Sequence, residues 1–134
     1  MTDDLMLRVP FVHSLGPVLE ERRRGYARMS LETASRHAAQ DGKLHGGVLT
    51  TLMDSTLAIA LRELRGAGGT RHSSVEMNAT FLVPVVPGQR IVIEGRITHV
   101  EPAVAFGEAD ATLRDTGEVV AKARVTFAIQ QDGA

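Results

Sequence analysis

Apolar residues concentrate in residues 44–61, near the middle of the chain, and their spacing predicts one long buried helix. Asp54 is the only charged residue of this stretch, on a cylinder that is apolar nearly all round. A carboxylate in that setting needs partners, so we expect protein or ligand beside Asp54 rather than bulk water. One broad face of the predicted helix carries Val48, Leu49, Leu52, Thr56, Ile59 and Ala60.

The start of the predicted helix is rich in glycine. His45 precedes Gly46 and Gly47, and glycines at this position let another group approach the free backbone N–H donors and the positive end of the helix dipole. The helix start is therefore a candidate site for an anion or for a developing oxyanion.

Alternating apolar and polar residues predict strands on both sides of the helix. Residues 18–31 indicate a hairpin with a basic tip at residues 22–24. We interpret this tip as a solvated turn, and contact with the phosphates of a cofactor is the less favoured alternative. Further strands are predicted over residues 74–81, 91–98, 103–114 and 119–129. On the first of these, one face should carry Val75, Met77, Ala79 and Phe81.

Three stretches lack a clear period. Residues 1–16 predict a short helix or turn that packs against the rest of the domain. Residues 33–43 predict a loop before the long helix, and the glycines of residues 66–69 predict the end of that helix. Short turns between the strands require antiparallel pairing. The sum is an α+β fold, a curved antiparallel sheet of five to six strands wrapped around one long central helix, in a single domain over residues 1–134.

Composition narrows the function classes. A net charge of -1 and a pI near 6.5 give no reason to expect nucleic acid as a partner. The chain has no cysteine, hence no disulfide and no thiol nucleophile, and its five histidines lack the spacing of metal ligands. The acidic start and the lack of a long uninterrupted apolar run indicate a soluble, cytoplasmic protein without a membrane partner.

Three motifs occur together in this chain. Leu44-His45-Gly46-Gly47 is followed by an acid, Asp54, nine residues after the histidine; residues 74–81 read SVEMNATF and precede Pro84 and Gly88; and a strand pair closes around Gly117. With these motifs the chain resembles the hotdog-fold acyl-CoA thioesterases, specifically the PaaI-like branch of the phenylacetate pathway. The resemblance covers about residues 10–130.

The resemblance implies a role for several residues. Asp54 is expected to be the nucleophile or the general base, and the backbone N–H of Gly46 from a neighbouring subunit to polarise the thioester carbonyl. Ser74 should lie near Asp54 and help to hold the attacking water. For His45 we favour a residue that opens the helix and bonds the backbone over a proton shuttle.

The resemblance also implies partners and a substrate. Two subunits are expected to join edge to edge as a homodimer with active sites at the interface, and two dimers to form a tetramer. No cofactor is expected, because coenzyme A is part of the substrate. We expect an aryl or medium-chain acyl group. The substrate-binding candidates are Gly47, Gln40, Met53, Leu57 and Phe81.

Two departures from the family pattern keep an alternative open. Relatives carry Asn or Gln six residues before the histidine, where this chain has Ala39, so either Gln40 serves or the contact is lost. The basic stretch that contacts CoA in relatives is replaced by residues 98–104, THVEPAV, and the expected substitute is Arg96 or an arginine of a neighbouring subunit. The alternative function is a non-catalytic acyl-CoA-binding hotdog protein; a hydratase is a weaker third.

Overall fold

The computed structural model describes residues 8–66 and 71–130. One long helix and six strands account for most of them, and a single turn of 3₁₀ helix lies at Ser35–His37. In chain order the elements are α1 (Pro10–Leu15), β1 (Val18–Arg23), β2 (Tyr26–Glu32), α2 (Gly46–Arg65), β3 (His72–Phe81), β4 (Arg90–Val100), β5 (Val104–Leu113) and β6 (Val119–Ile129).

The strands form one antiparallel sheet in the order β1-β2-β4-β5-β6-β3. The sheet curves around α2, so that β1 and β3 are its two edges and the apolar faces of the inner strands meet the helix. This is the hotdog architecture, and it confirms the expected fold class of a curved antiparallel sheet around one central helix.

The core depends on a close approach between α2 and the middle of the sheet. Leu57 of α2 is fully buried. A Cβ atom added at Gly95 of β4 would lie 3.0 Å from the Leu57 Cδ2 atom, and one added at Gly107 of β5 would lie 2.8 Å from it. Glycine at both positions therefore makes room for the helix. In a core packed this closely, an added methyl group forces the neighbouring side chains or backbone to shift.

A β-bulge in β3 changes which residues face the helix. The pairing of β3 with β6 shifts register between Ser74 and Glu76, so Val75 is the extra residue and is 62% exposed. The expectation that Val75 shares a face with Met77 is therefore wrong. Because one residue is inserted, Ser74 takes the inward position, opposite the buried Phe127 of β6.

The basic tip of the first hairpin is exposed, as expected, but it also contacts the end of α2. The Arg24 side chain donates a hydrogen bond to the Leu64 carbonyl at 3.2 Å, and Arg22 pairs with Glu63 at 3.3 Å. Cations at this end of a helix stabilise its unpaired carbonyls. The tip therefore has a role in holding the C-terminal end of α2.

The remaining sequence expectations concern the connections. Within the described chain, α1 buries Val12 against the core, and α2 ends at Arg65, followed by the capping residue Gly66, whose φ is +87°. Residues 1–7 and residues 67–69 of the expected glycine stop lie outside the described residues. None of the helices within residues 8–66 and 71–130 combines the length and the hydropathy that a membrane span requires.

We predict that Gly107→Ala destabilises the protein by about 1–3 kcal/mol, because the new methyl group overlaps the buried Leu57 side chain. Urea unfolding of the wild type, Gly107→Ala, Leu57→Val and the double variant measures this. The cost of Gly107→Ala should shrink in the Leu57→Val background, where the δ-methyl groups are absent; an equal cost in both backgrounds contradicts the packing described here.

We also predict a pH-dependent contribution from Glu20. Hydrogen bonding from Arg114 holds the pKa of the Glu20 carboxyl at about 2, below its usual 4.5, although burial opposes this. A depressed pKa stabilises the fold fully above pH 4.5, and this stability is lost as the pH falls towards 2. Arg114→Gln should therefore cost about 1 kcal/mol at pH 7, and the difference from wild type in urea unfolding should fade between pH 4.5 and 2.

Candidate active site

The predicted carboxylate lies where α2 meets the edge strand β3. Asp54 is half-buried on the side of the helix that faces β3, and the Ser74 hydroxyl donates a hydrogen bond to its Oδ1 atom. The two residues come together because the bulge turns Ser74 inward. Asp54 thus has a polar partner in an otherwise apolar helix, and Ser74 itself is exposed at the sheet edge.

The start of α2 presents one unpaired donor. The Gly47 N–H donates to His45 Nδ1 at 2.8 Å, and the Val48 N–H donates to the His45 carbonyl at 3.0 Å. The Gly46 N–H, at the first helical position, has no partner within residues 8–66 and 71–130. Gly46 is therefore the donor of the first turn that a ligand oxygen can use.

His45 acts as the cap of the helix. Its ring is exposed, its backbone is extended, and its Nδ1 atom accepts from Gly47, the arrangement of an N-cap side chain. A Cβ at position 47 would approach His45 Nδ1 to 2.9 Å, so glycine makes room for the cap. This geometry is the one favoured for His45 from sequence. Parts for His45 in catalysis and for Gly47 in substrate binding stay predictions.

Phe81 covers the start of the helix. Its side chain is about half exposed, and its ring lies against Gly46, where a Cβ would meet the ring at 3.1 Å. A groove of about 420 Å³ opens beside it, lined in part by Leu49 and Val83. Phe81 and Gly46 therefore share a surface that could receive an apolar group.

The other substrate-binding candidates are not among the residues that line this groove. Met53 and Leu57 are completely buried in the core of the subunit, where neither side chain is open to a ligand. Gln40 is exposed in the turn closed by the bond from the Gly42 N–H to the Ala39 carbonyl, at 3.0 Å. The part of each in binding stays a prediction.

Sequence reasoning missed His72. This histidine is half-buried on the inner face of β3, two residues before Ser74, and its ring meets Phe127 edge-on at 5.4 Å. Burial lowers the pKa of His72, as do the charges of Arg62 and Arg65, while Asp54 raises it. Alternate residues of a strand share a face, so His72 lies on the inner face together with Ser74. The extra residue at the bulge interrupts this alternation, and the sequence alone therefore does not show that His72 faces inward.

Two further expectations concern charged ligands. Arg96 pairs with Asp110 at 3.4 Å on the outer face of the sheet, away from α2, and does not approach Asp54. Among the described residues, no three His, Asp or Glu side chains are grouped to hold a metal ion. The expectations of no metal and no cofactor stay predictions.

One long helix wrapped by a six-stranded antiparallel sheet defines a hotdog protein, and this helix offers a free N–H at its start and a carboxylate at its middle. The sequence profile described as the Thioesterase superfamily matches residues 41–120, which include the whole of α2. The chain belongs to this family, and the expected class of thioester hydrolase is confirmed.

Individual proteins support the same placement. Mouse acyl-coenzyme A thioesterase 13 is 38% identical over 98 residues, 72% of this chain and 67% of the mouse protein. The structure of mouse thioesterase superfamily member 2 has a TM-score of 0.83 and 29% identity, covering 92% of this chain and 91% of that one. The PaaI protein of the Escherichia coli phenylacetic acid degradation operon shares the fold, with a TM-score of 0.81, 17% identity and coverage of 96% and 86%.

The cap geometry of His45 gives a prediction. His45→Ala should lower the free energy of unfolding by about 1 kcal/mol, because the Gly47 N–H loses its acceptor, whereas His45→Asn keeps an acceptor and should stay close to wild type. Urea unfolding measures the stability, and thioester hydrolysis by the same samples separates the roles. A proton shuttle would instead lose activity in both variants.

Proposed function

We propose that this protein hydrolyses acyl-CoA thioesters to the free acid and CoA. The observation that carries the proposal is the pairing of Asp54 with Ser74 at an open sheet edge, on the same helix as the unpaired Gly46 N–H. The family supports thioester hydrolysis, and the name of the mouse relative supports CoA as the thiol. An aryl or medium-chain acyl group remains our expectation for the acid.

One subunit alone cannot bring the two groups to one carbonyl. Asp54 and Gly46 are eight residues apart on α2, so their separation is about 12 Å along the axis. A thioester carbonyl needs its attacking oxygen and its oxyanion donor within about 3 Å of the reacting atoms. A complete site therefore requires a Gly46 from a second subunit.

Strand β3 offers the way to assemble it. It is the edge strand beside the site, and one end contacts Asp54 through Ser74 while the other contacts Gly46 through Phe81. If two copies of β3 pair antiparallel about a two-fold axis near Met77, the Asp54 end of one subunit meets the Gly46 end of its partner. The homodimer we propose thus contains two identical composite sites.

The proposed chemistry uses these groups in two steps. An oxygen attacks the thioester carbon, and the negative charge that moves to the carbonyl oxygen is stabilised by the Gly46 N–H of the partner subunit. The carbonyl re-forms as the C–S bond breaks, and CoA leaves as its thiolate. The attacking oxygen belongs to Asp54 itself, giving an anhydride that water then opens, or to a water whose proton Asp54 accepts. The Ser74 hydroxyl, which donates to Asp54, holds the carboxylate or that water.

The first test is thiol release from a panel of aryl and aliphatic acyl-CoA substrates. Asp54→Asn should reduce kcat by about a hundredfold or more, because the amide neither attacks nor accepts a proton. Thermal unfolding of the same samples checks the fold. Wild-type rates in Asp54→Asn would overturn the proposal, and stabilisation by acyl-CoA without thiol release from wild type would favour the non-catalytic binding protein.

The Gly46 N–H can be removed without removing the helix. Proline is accepted at the first helical position, where His45 before it is extended, so Gly46→Pro deletes the donor at little conformational cost. Gly46→Ala adds a similar contact with Phe81 but keeps the N–H, and is the matched control. We expect kcat of Gly46→Pro to be about a hundredfold or more below that of Gly46→Ala; equal rates would exclude this donor.

Mixing the variants tests the composite site. Co-expression of Asp54→Asn with Gly46→Pro should restore activity to about one quarter of wild type, since half of the dimers are mixed and each mixed dimer has one intact site. If both groups acted within a single subunit, the mixture would stay as inactive as its components.

A further inference from the structure

Cations gather at the end of the subunit where α2 finishes and β3 begins. Arg62 and Arg65 are half-buried in the last turn of α2. Arg71 is exposed just before β3, and its carbonyl accepts a hydrogen bond from the Gln130 N–H at 2.8 Å, which fixes its backbone to the end of β6. We call Arg62, Arg65 and Arg71 the arginine cluster.

The arginine cluster lies in line with Asp54. Asp54, Ala58, Arg62 and Arg65 follow the spacing of one helix face. At 1.5 Å per residue, Arg62 and Arg65 are about 12 Å and about 16 Å beyond Asp54 along the axis.

Strand β3 reaches the same end of the subunit. It runs antiparallel to α2, with Phe81 at the helix start and Ser74 at Asp54. Arg71 and His72 therefore lie towards the end of the helix, where the charges of Arg62 and Arg65 act on the His72 ring.

This separation matches the reach of the CoA arm. The pantetheine chain has about 13 bonds between the thioester sulfur and the first phosphorus and spans about 15 Å when extended, at about 3.5 Å per three bonds. We propose that the arginine cluster binds the phosphates of the CoA nucleotide while the thioester lies at Asp54 of the same subunit. The inference rests on the proposed function, which it deepens by assigning a nucleotide subsite.

The electrostatics of this end favour an anion. The C-terminal end of a helix carries about half a negative charge, which two arginines in the last turn outweigh. Arg24 already bonds the Leu64 carbonyl, so one of the exposed helix carbonyls has its own cationic partner. Guanidinium groups bind phosphate oxygens in pairs, with charge-assisted hydrogen bonds.

The test compares two thioesters of one acid. The CoA thioester carries the phosphates, and the N-acetylcysteamine thioester has the same reacting bond without them. In the Arg65→Gln/Arg71→Gln double variant, KM for the CoA thioester should rise about tenfold or more, while KM for the truncated thioester should change less than about twofold. Arg90→Gln, which removes an exposed cation at the first residue of β4, is the matched control and should leave both KM values unchanged.

A binding measurement separates this inference from the proposed function. Titration calorimetry with adenosine 3′,5′-bisphosphate needs no turnover. Equal binding to wild type and Arg90→Gln that weakens about tenfold in the double variant supports the nucleotide subsite. If wild type releases no thiol, the proposed function fails and the titration alone decides about the cluster. Equal affinity in all three proteins, no binding to wild type, or an equal rise of KM for both thioesters would overturn the inference.

Discussion

A carboxylate on a helix that is otherwise covered by apolar side chains is tolerated only where the cover ends and a donor is at hand. Strand β3 meets both conditions, because it is the edge of the sheet and supplies the Ser74 hydroxyl to Asp54. An edge strand also keeps one row of backbone groups available for pairing with another strand. The contact that makes Asp54 acceptable in the fold is therefore made by the strand best placed to join a second subunit.

The bulge at Val75 and the glycines that contact the helix both determine where Asp54 lies relative to β3. The bulge brings His72 and Ser74 to the inner face of β3, in register with the inner face of β6. Gly95 and Gly107 let the sheet close on Leu57, only three residues beyond Asp54. Since the core is continuous with the site, the position of the carboxylate depends on how deeply α2 is seated in the sheet.

Helix α2 arranges its chemical groups by position along its length. Its first turn offers the Gly46 N–H, its middle carries Asp54, and its last turn carries Arg62 and Arg65. In the proposed reaction these are the places of the oxyanion donor, the activating carboxylate and the phosphate contacts. Within one site the relevant distance is that from Asp54 to the arginines of the last turn, about 12–16 Å along the axis, which suits a substrate whose reacting bond and charged groups are joined by a long arm.

Apolar periodicity and turn residues in the sequence are enough to predict the long helix, the hairpins and the antiparallel pairing of the strands. The proximity of Asp54 and Ser74 is what the resemblance to the hotdog thioesterases implied. The tertiary structure was needed to tell which residues of β3 face the helix, because the alternation of inner and outer residues is interrupted at a bulge that is recognised from the pairing with β6. It also decided that Met53 and Leu57 are core residues and that His72 is half-buried. The sequence of a helix that is apolar nearly all round does not show which of its sides faces the sheet, because no polar face marks the opposite side. The packing of the other elements around the helix determines its orientation.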